Sequence, residues 1–378
     1  MLRPMTLSAH VPDVAIPLPP LPPGIDTPAL VVFVDRVYEN IDSLARSLAA
    51  KGLRNRPHAK THKSVRIARM QLDAGASGIS VGTIGEAEAF ALAGIRDLFI
   101  AYPVWAAGPK EGRLRALHDV ADLIVGVDSP AGARRLGAAV EGTRRRLRVM
   151  IEVDSGLHRT GAPSPGDAAL VAVAASRAGL EVEGVFTHGG HGYRPGAAGA
   201  AARDEATALG EAARAITAAG FEVRTLSAGS TPTRLLAGGG PVNEVRAGTY
   251  VYGDRQQLLL EAIEPDSIAA VVAATVVSVA PGRAVIDAGA KALTKDLPAF
   301  VEGYGTIPAW PGAIIERLSD YHGVVALPGP GLHPAVGDIV AVVPNHICPV
   351  VDLVASFIAV QPDGRVEHWP VDARGRSG

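Results

Sequence analysis

The chain has 378 residues, and 36 Lys+Arg stand against 38 Asp+Glu for a formal net charge of −2. At roughly 150 residues per domain this length allows about two domains. A near-neutral balance leaves no electrostatic footprint for nucleic acid or an anionic membrane. Hydrophobic residues at 48% and charged residues at 20% exclude wholesale disorder and fit a globular protein with a sizeable core.

Cys348 is the single cysteine, so no intrachain disulfide forms. That suits a cytoplasmic protein. Residues 1–24 form a Pro-rich arm (PDVAIPLPPLPPG) with no apolar h-region, so a signal peptide is not expected. The longest apolar stretch, near 268–280, is shorter than the roughly 18 residues needed to cross a bilayer. It is rich in Val and Ala and stops at Pro281 and Gly282, which reads as a buried strand.

From Thr27 a rhythm of short apolar runs and helical segments begins. ALVVFVD (29–35) reads as a strand and 38–50 as an amphipathic helix. RPHAKTH (56–62) is strand-like, and 64–74 is helical. GISVGT (78–83) precedes a helix over 84–93, and LFIAYPV (98–104) one near 112–118. LIVGVDS (123–129) precedes 131–140, RVMIEVDSG (148–156) precedes 166–178, and VEGVFTHGG (182–190) precedes 200–219. EVRTLSAGS (222–230) comes eighth. Apolar strands alternating with helices predict βαβ units and a parallel sheet. Eight units over roughly 230 residues match an α/β (β/α)8 TIM barrel over 25–261. No GxGxxG follows the first strand, which disfavours an open dinucleotide-binding sheet.

After about Glu261 the helical pattern fades. AAVVAATVVSVA, RAVIDAGA, HGVVALPG, DIVAVVPNH and ASFIAVQPDGRVEHWPV read as strands divided by Gly and Pro turns. They predict a C-terminal, mostly antiparallel β-domain over 262–372, with a tail over 373–378. The Ala-rich stretch 196–219 reads as a surface helix, and Arg144, Arg145 and Arg146 as a solvated helix end.

Barrel enzymes place their chemistry at the C-terminal ends of strands. Polar residues gather at four such ends: His58, Lys60 and His62; Asp154, His158 and Arg159; Thr187, His188, His191 and Tyr193; and Ser227, Gly229, Ser230 and Thr231. Their convergence on one cleft points to a site. A Lys60 amine facing inward would be desolvated and available for Schiff-base chemistry. The loops SAGSTPT (227–233) and RAGTY (246–250) offer small residues, hydroxyls and N–H groups of the kind that cradle phosphate. Together these features point to a phosphorylated carbonyl, either a sugar phosphate or pyridoxal phosphate. His346 and Cys348 are spaced i and i+2, so on an extended segment they share a face and can both bind zinc. Two protein ligands need water, substrate or other side chains to complete the shell.

RPHAKTHKS, EVDSGLHRTG, VFTHGGHGY, SAGSTPT, EVRAGTYVYGD and VPNHICPVVDL occur in that order. Together they resemble the D-threonine aldolase / D-serine dehydratase family of pyridoxal-phosphate enzymes with the alanine-racemase fold, from Thr27 to about Asp372. The resemblance implies that Lys60 holds pyridoxal 5'-phosphate as a Schiff base. It implies Arg159 near the cofactor's phenolic oxygen, His188 against its ring, and Tyr193 or Arg246 at its pyridine nitrogen. Gly229, Ser230, Thr231, Gly248 and Thr249 resemble the phosphate binders. His346 and Cys348 resemble the family's metal pair, with zinc expected ahead of manganese or magnesium because thiolate is a soft ligand. Homodimers are expected, with no nucleic-acid or membrane partner.

The resemblance implies a lyase acting on D-3-hydroxy amino acids, by aldol cleavage to glycine and an aldehyde or by dehydration to a 2-oxo acid and ammonia. Cys348 favours dehydration, whereas the PVVDL that follows resembles the aldolases more. A racemase would need a tyrosine from the β-domain, where Tyr304 and Tyr321 are the candidates. A bare pyridoxal-phosphate carrier would lack the β-domain.

Overall fold

The computed structural model describes residues 15–329 and 331–378. Strand β1 (Ala29–Phe33) is followed by β2 (Arg54–Asn55), β3 (Ile79–Val81), β4 (Asp97–Pro103), β5 (Asp122–Val127), β6 (Arg148–Glu152), β7 (Glu181–Phe186), β8 (Thr225–Ala228) and β9 (Glu244–Val245). Strands β2 to β9 form one parallel sheet in the order β2-β9-β8-β7-β6-β5-β4-β3. A bridge between His58 and Ser80 joins the two ends of this sheet. Ser80 also donates its N–H to the Pro57 carbonyl at 2.9 Å. The result is a curled sheet of the (β/α)8 type.

The central strands are continuous apolar runs because both faces are buried, one against the outer helices and one inside the barrel. Phe99, Ile124, Met150 and Phe186 fill the interior as a small cluster. The Phe99 and Phe186 rings meet edge to face with centroids 5.1 Å apart. Helix starts follow local chemistry. Thr83, Ser129 and Ser164 each accept the N–H three residues on, at 3.0–3.2 Å. Pro130 and Pro165 open their helices, where a missing N–H costs nothing.

The second sheet contains β10 (Ala270–Ala280), β11 (Arg283–Ile286), β12 (Ile314–Leu318), β13 (Gly323–Ala326), β14 (Ile339–Val342), β15 (Ser356–Val360) and β16 (Val366–Pro370). Its order is β12-β13-β11-β10-β1-β15-β16, with β14 also paired to β10. It is mostly antiparallel, and the pair β1–β15 is parallel.

Strand β1 thus departs from the sequence expectation. It was expected to open the barrel, yet it lies in the second sheet, with Val31 opposite both Val271 and Ile358. The eighth barrel strand is instead β9, two residues inside the loop text EVRAG. An apolar run buried on both faces suits either sheet, so composition alone does not assign β1.

Both ends of the described chain are tied down. Ile16 in the Pro-rich arm is buried with Val31, Phe33, Val343 and Ile358. Ala373 is buried and donates to the Lys63 carbonyl at 3.0 Å, so 373–378 lies along the barrel. A Cβ at Gly85 would meet the Gly378 carbonyl at 2.7 Å. No helix among the described residues is long and apolar enough to cross a membrane.

Candidate active site

Lys60 does not lie within a strand. After the bridge at His58 the chain makes one tight turn, Ala59–Thr61, and the Lys60 N–H donates to His58 Nδ1 at 3.3 Å. The turn lifts the Lys60 side chain away from the sheet to an exposed position at the barrel mouth. Behind it, His62 is fully buried with Nε2 3.2 Å from Gln71 Oε1, and Nδ1 accepts the Ser64 N–H at 3.1 Å. Burial pushes His62 down to about 4 despite those two bonds. His62 therefore supports the turn from within the core.

His188 gathers the predicted cations. Burial pushes its pKa well down, and the charges of Lys60, Arg159 and Arg246 push the same way. His58 is lowered by burial and by Lys60, Arg246 and His188. Both imidazoles are neutral at pH 7. Arg159 is exposed on a loop shaped by Asp154, whose carboxylate accepts from the N–H groups of Gly156 and His158 at 2.9 and 3.0 Å. Asp154 also meets His158 Nδ1 at 2.7 Å.

Arg246 lies on the barrel floor, its guanidinium 5.8 and 5.3 Å from the Phe99 and Phe186 ring centroids. It donates to Ser227 Oγ at 2.7 Å and to the Thr187 carbonyl at 2.6 Å, and its buried Nε has no partner among the described residues. Tyr193 sits elsewhere. Its hydroxyl meets Ser230 and the Thr231 backbone, and its ring lies 6.1 Å from that of His188. Burial, then Cys348 and Asp254, hold this phenol well above its ordinary pKa, so it stays a neutral hydroxyl. The two residues expected to compete for one cofactor atom thus occupy different places. Arg246 faces the floor, and Tyr193 faces the Gly229–Thr231 loop.

That loop and the Gly248–Thr249 loop form a small polar cup. Gly229 has φ +84, and a Cβ there would come within 2.8 Å of Val245. A Cβ at Gly248 would meet the His58 carbonyl and Thr61 Oγ1, each at 3.0 Å. Both positions need glycine, one for conformation and one for close approach. The Thr231 N–H meets the Tyr193 hydroxyl, and the N–H groups of Gly248 and Thr249 make no backbone hydrogen bond among the described residues. Free N–H groups in a concave loop pair are an anion cradle.

The β-domain brings the other half. His346 and Cys348 are not on an extended segment: His346 caps the helix Ile347–Leu353 and Cys348 lies in its first turn. The side chains still meet. Burial opposes charge on both, yet each stabilises the other, so the imidazole is held up and the thiol held down. Cys348 Sγ lies 3.2 Å from Thr61 Oγ1 and 3.7 Å from Thr249 Oγ1, and the Lys60 charge also acts on it. Asp254 fixes the pair. It is fully buried, pushed up to about 6 by that burial, and accepts the N–H groups of Ile347 and Gln257 at 3.1 and 2.9 Å. A second strut runs from Lys63 to Asp352 at 2.7 Å and to Glu86 at 3.4 Å.

Three contributors escape a reading of motifs. Asp296 meets His346 Nδ1 at 2.6 Å but lies fifty residues away in a loop. Asp254 looks like a routine helix cap. Glu205 lies in the Ala-rich helix Ala198–Ala218, expected to be a plain surface helix, yet it is 2% exposed and bonded to the site loops. An acidic residue on the apolar face of that helix is the signal available in the text. His191 pairs with Asp204 at 3.1 Å, and Thr187 Oγ1 donates to the Val153 carbonyl at 2.7 Å, so both serve local structure.

Comparisons with known proteins agree with this architecture. The profile of the alanine racemase N-terminal domain matches residues 32–256, and a serine dehydratase-type domain matches 269–360. The chain is 33% identical to a D-threo-3-hydroxyaspartate dehydratase of Delftia sp. (strain HT23) over 91% of this chain and 97% of that one. It is 32% identical to a D-threonine aldolase of Arthrobacter sp over 96% and 98%. A solved cysteine-to-alanine variant of D-threo-3-hydroxyaspartate dehydratase, in its metal-free form, superposes with a TM-score of 0.85. That structure is 32% identical, and the match covers 92% of this chain and 97% of that chain.

Proposed function

The chain belongs to the alanine racemase-like family of the D-threonine aldolases and D-3-hydroxyaspartate dehydratases, and from that premise we propose that it is a pyridoxal-phosphate- and divalent-metal-dependent lyase of D-3-hydroxy amino acids, cleaving them by a retro-aldol reaction. The single observation that carries this reading is the contact of the Lys60 turn with the metal pair of the β-domain: Thr61 Oγ1 lies 3.2 Å from Cys348 Sγ, and the Lys60 charge acts on that thiol. The turn that would hold a carbonyl cofactor and the soft metal pair thus face one another.

The residues present fit both groups. Gly248 and Thr249 would hold the phosphate through free N–H groups, with Thr231 and the Ser230 and Tyr193 hydroxyls beside them. His188 would lie against the ring, and as a neutral imidazole it adds no charge there. Arg159 would approach the ring's phenolic oxygen from its exposed loop. Imidazole and thiolate suit zinc ahead of manganese or magnesium. No group of three or more His, Cys, Asp and Glu side chains is arranged to hold a metal among the described residues, so water or substrate would complete the shell.

When bound, the pyridoxal ring supplies an electron sink for charge developing at the substrate Cα, and the metal lowers the pKa of a substrate hydroxyl. Lys60 Nζ would supply the amine that holds the cofactor and would be available to return a proton to Cα after cleavage. Asp296 accepts a hydrogen bond from His346 Nδ1–H, which would leave Nε2 to bind the metal. Burial keeps the Tyr193 and His188 side chains themselves uncharged. A homodimer is part of the same reading.

Dehydration is the second reading. The serine dehydratase-type match over 269–360 and the thiolate at Cys348 favour it. In that branch Lys60 Nζ takes the Cα proton and the hydroxyl leaves. The test is product analysis with D-threonine, pyridoxal phosphate and zinc or manganese. The retro-aldol reading expects glycine and acetaldehyde in equal amounts. 2-Oxobutanoate with ammonia would replace it by dehydration. L-allo-Threonine, the product of inversion at Cα alone, would mark a racemase and overturn both.

A further inference from the structure

Glu205 is buried, 2% exposed, on the helix Ala198–Ala218. Its Oε1 accepts the Gly189 N–H at 2.9 Å and the Gly229 N–H at 3.3 Å. It also bonds the Thr233 side chain. Thr233 Oγ1 in turn accepts the Ser230 N–H at 2.9 Å and lies 3.1 Å from Ser230 Oγ. One carboxylate therefore ties the residue after His188 to the first residue of the Gly229–Thr231 loop and, through Thr233, to Ser230.

The surroundings are built for this contact. A Cβ at Gly189 would lie 2.8 Å from Glu205, so glycine is what lets the carboxylate reach that N–H. Gly192, one turn on, has Ala201 and Thr233 at 3.0 and 3.5 Å from where its Cβ would stand. Burying a carboxylate is costly unless hydrogen bonds satisfy it. A core helix needing only packing would carry an apolar residue here, as it does at Ala201, Leu209 and Ala212.

We propose that Glu205 is a positioning residue that clamps the His188 loop to the Gly229–Thr231 loop, fixing the distance between the ring contact and the phosphate cup. The inference rests on the cofactor reading above. It assigns no contact between Glu205 and the cofactor. The two loops rise from adjacent strands β7 and β8, and strand pairing ends at Phe186 and Ser227. Beyond that point Glu205 takes over the spacing. Without it the cup keeps its N–H groups but loses its register against the ring.

The test compares pyridoxal phosphate with pyridoxal, which lacks the phosphate, by titrating the visible absorbance of lysine-bound cofactor in the full chain. The variants are E205A, E205Q and T233V. In E205A, affinity for pyridoxal phosphate should fall about tenfold or more while that for pyridoxal changes less than threefold, since only the phosphorylated form uses both loops. E205Q keeps an acceptor oxygen for both N–H groups and should recover most of the affinity. T233V removes only the Ser230 arm and should give a smaller loss with the same selectivity, which keeps the test open if E205A fails to fold. Equal losses for both ligands in E205A or T233V would mean a merely structural role and overturn the proposal. So would unchanged affinity. A wild-type chain that takes up no cofactor would overturn the underlying reading, and the clamp with it.

Discussion

His346 Nδ1 lies 2.6 Å from Asp296 Oδ2, so a carboxylate from a distant loop sets the orientation of the imidazole that faces Cys348. Carboxylates behind a ligand imidazole fix its tautomer, and losing them typically costs about 10–100-fold in metal affinity. D296N should therefore weaken zinc binding by about tenfold or more, measured by competition with a chromophoric chelator. Excess metal should restore activity, and cofactor absorbance should be unchanged. Equal zinc affinity in the two proteins would remove Asp296 from the site.

Cys348 contributes the soft member of the pair. Replacing thiolate by carboxylate moves the donor set toward hard cations. C348D should shift metal preference from zinc toward manganese or magnesium, read from activity of chelator-stripped protein reloaded with each ion. C348A should lose metal-stimulated turnover with every ion. Full activity of C348A would show that the metal pair does not act in the reaction.

Gly229 has φ +84 and no room for a methyl group beside Val245. Gly229→Ala should cost about 1–2 kcal/mol for the left-handed backbone alone, and the displaced loop should weaken cofactor binding. The measurement pairs thermal unfolding with cofactor titration. An alanine that leaves both unchanged would mean that this loop does not shape the cup.

The buried His62 gives stability a defined pH dependence. Its folded pKa of about 4 lies below the ordinary 6.5, so the unfolded chain binds the proton first as pH falls. Stability is complete above pH 6.5 and declines between 6.5 and about 4. The loss from His62 between pH 7.5 and pH 5 should be about 2 kcal/mol. His58 and His188 are shifted in the same direction and add to the slope. Denaturant unfolding of wild type and H62Q at the two pH values should show a shallower dependence in H62Q. Identical slopes would contradict the assignment.

Much of the barrel was legible because parallel strands leave apolar runs and because Ser and Thr caps with Pro mark where helices begin, as at Ser129–Pro130 and Ser164–Pro165. The count of eight barrel strands held through two compensating exchanges. β1 belongs to the other sheet, and β9 is only two residues long. Local sequence carries no record of which distant partner a doubly buried strand pairs with. At the site, His346 and Cys348 meet as expected but through a helix cap, because Asp254 holds the Ile347 N–H and starts a helix there. Lys60 leaves the strand for a related reason, a capping imidazole at His58. Asp296 was illegible because its partner lies fifty residues away, and Glu205 was marked only by being acidic on the apolar face of its helix.

The proposed chemistry depends first on Lys60 carrying the cofactor. Borohydride reduction of the protein loaded with pyridoxal phosphate, followed by peptide mapping by mass spectrometry, tests it most directly. A single pyridoxyl group is expected on Lys60, and none in K60A. A label on another lysine, such as the ion-paired Lys63 on the next turn, or no label at all, would contradict it.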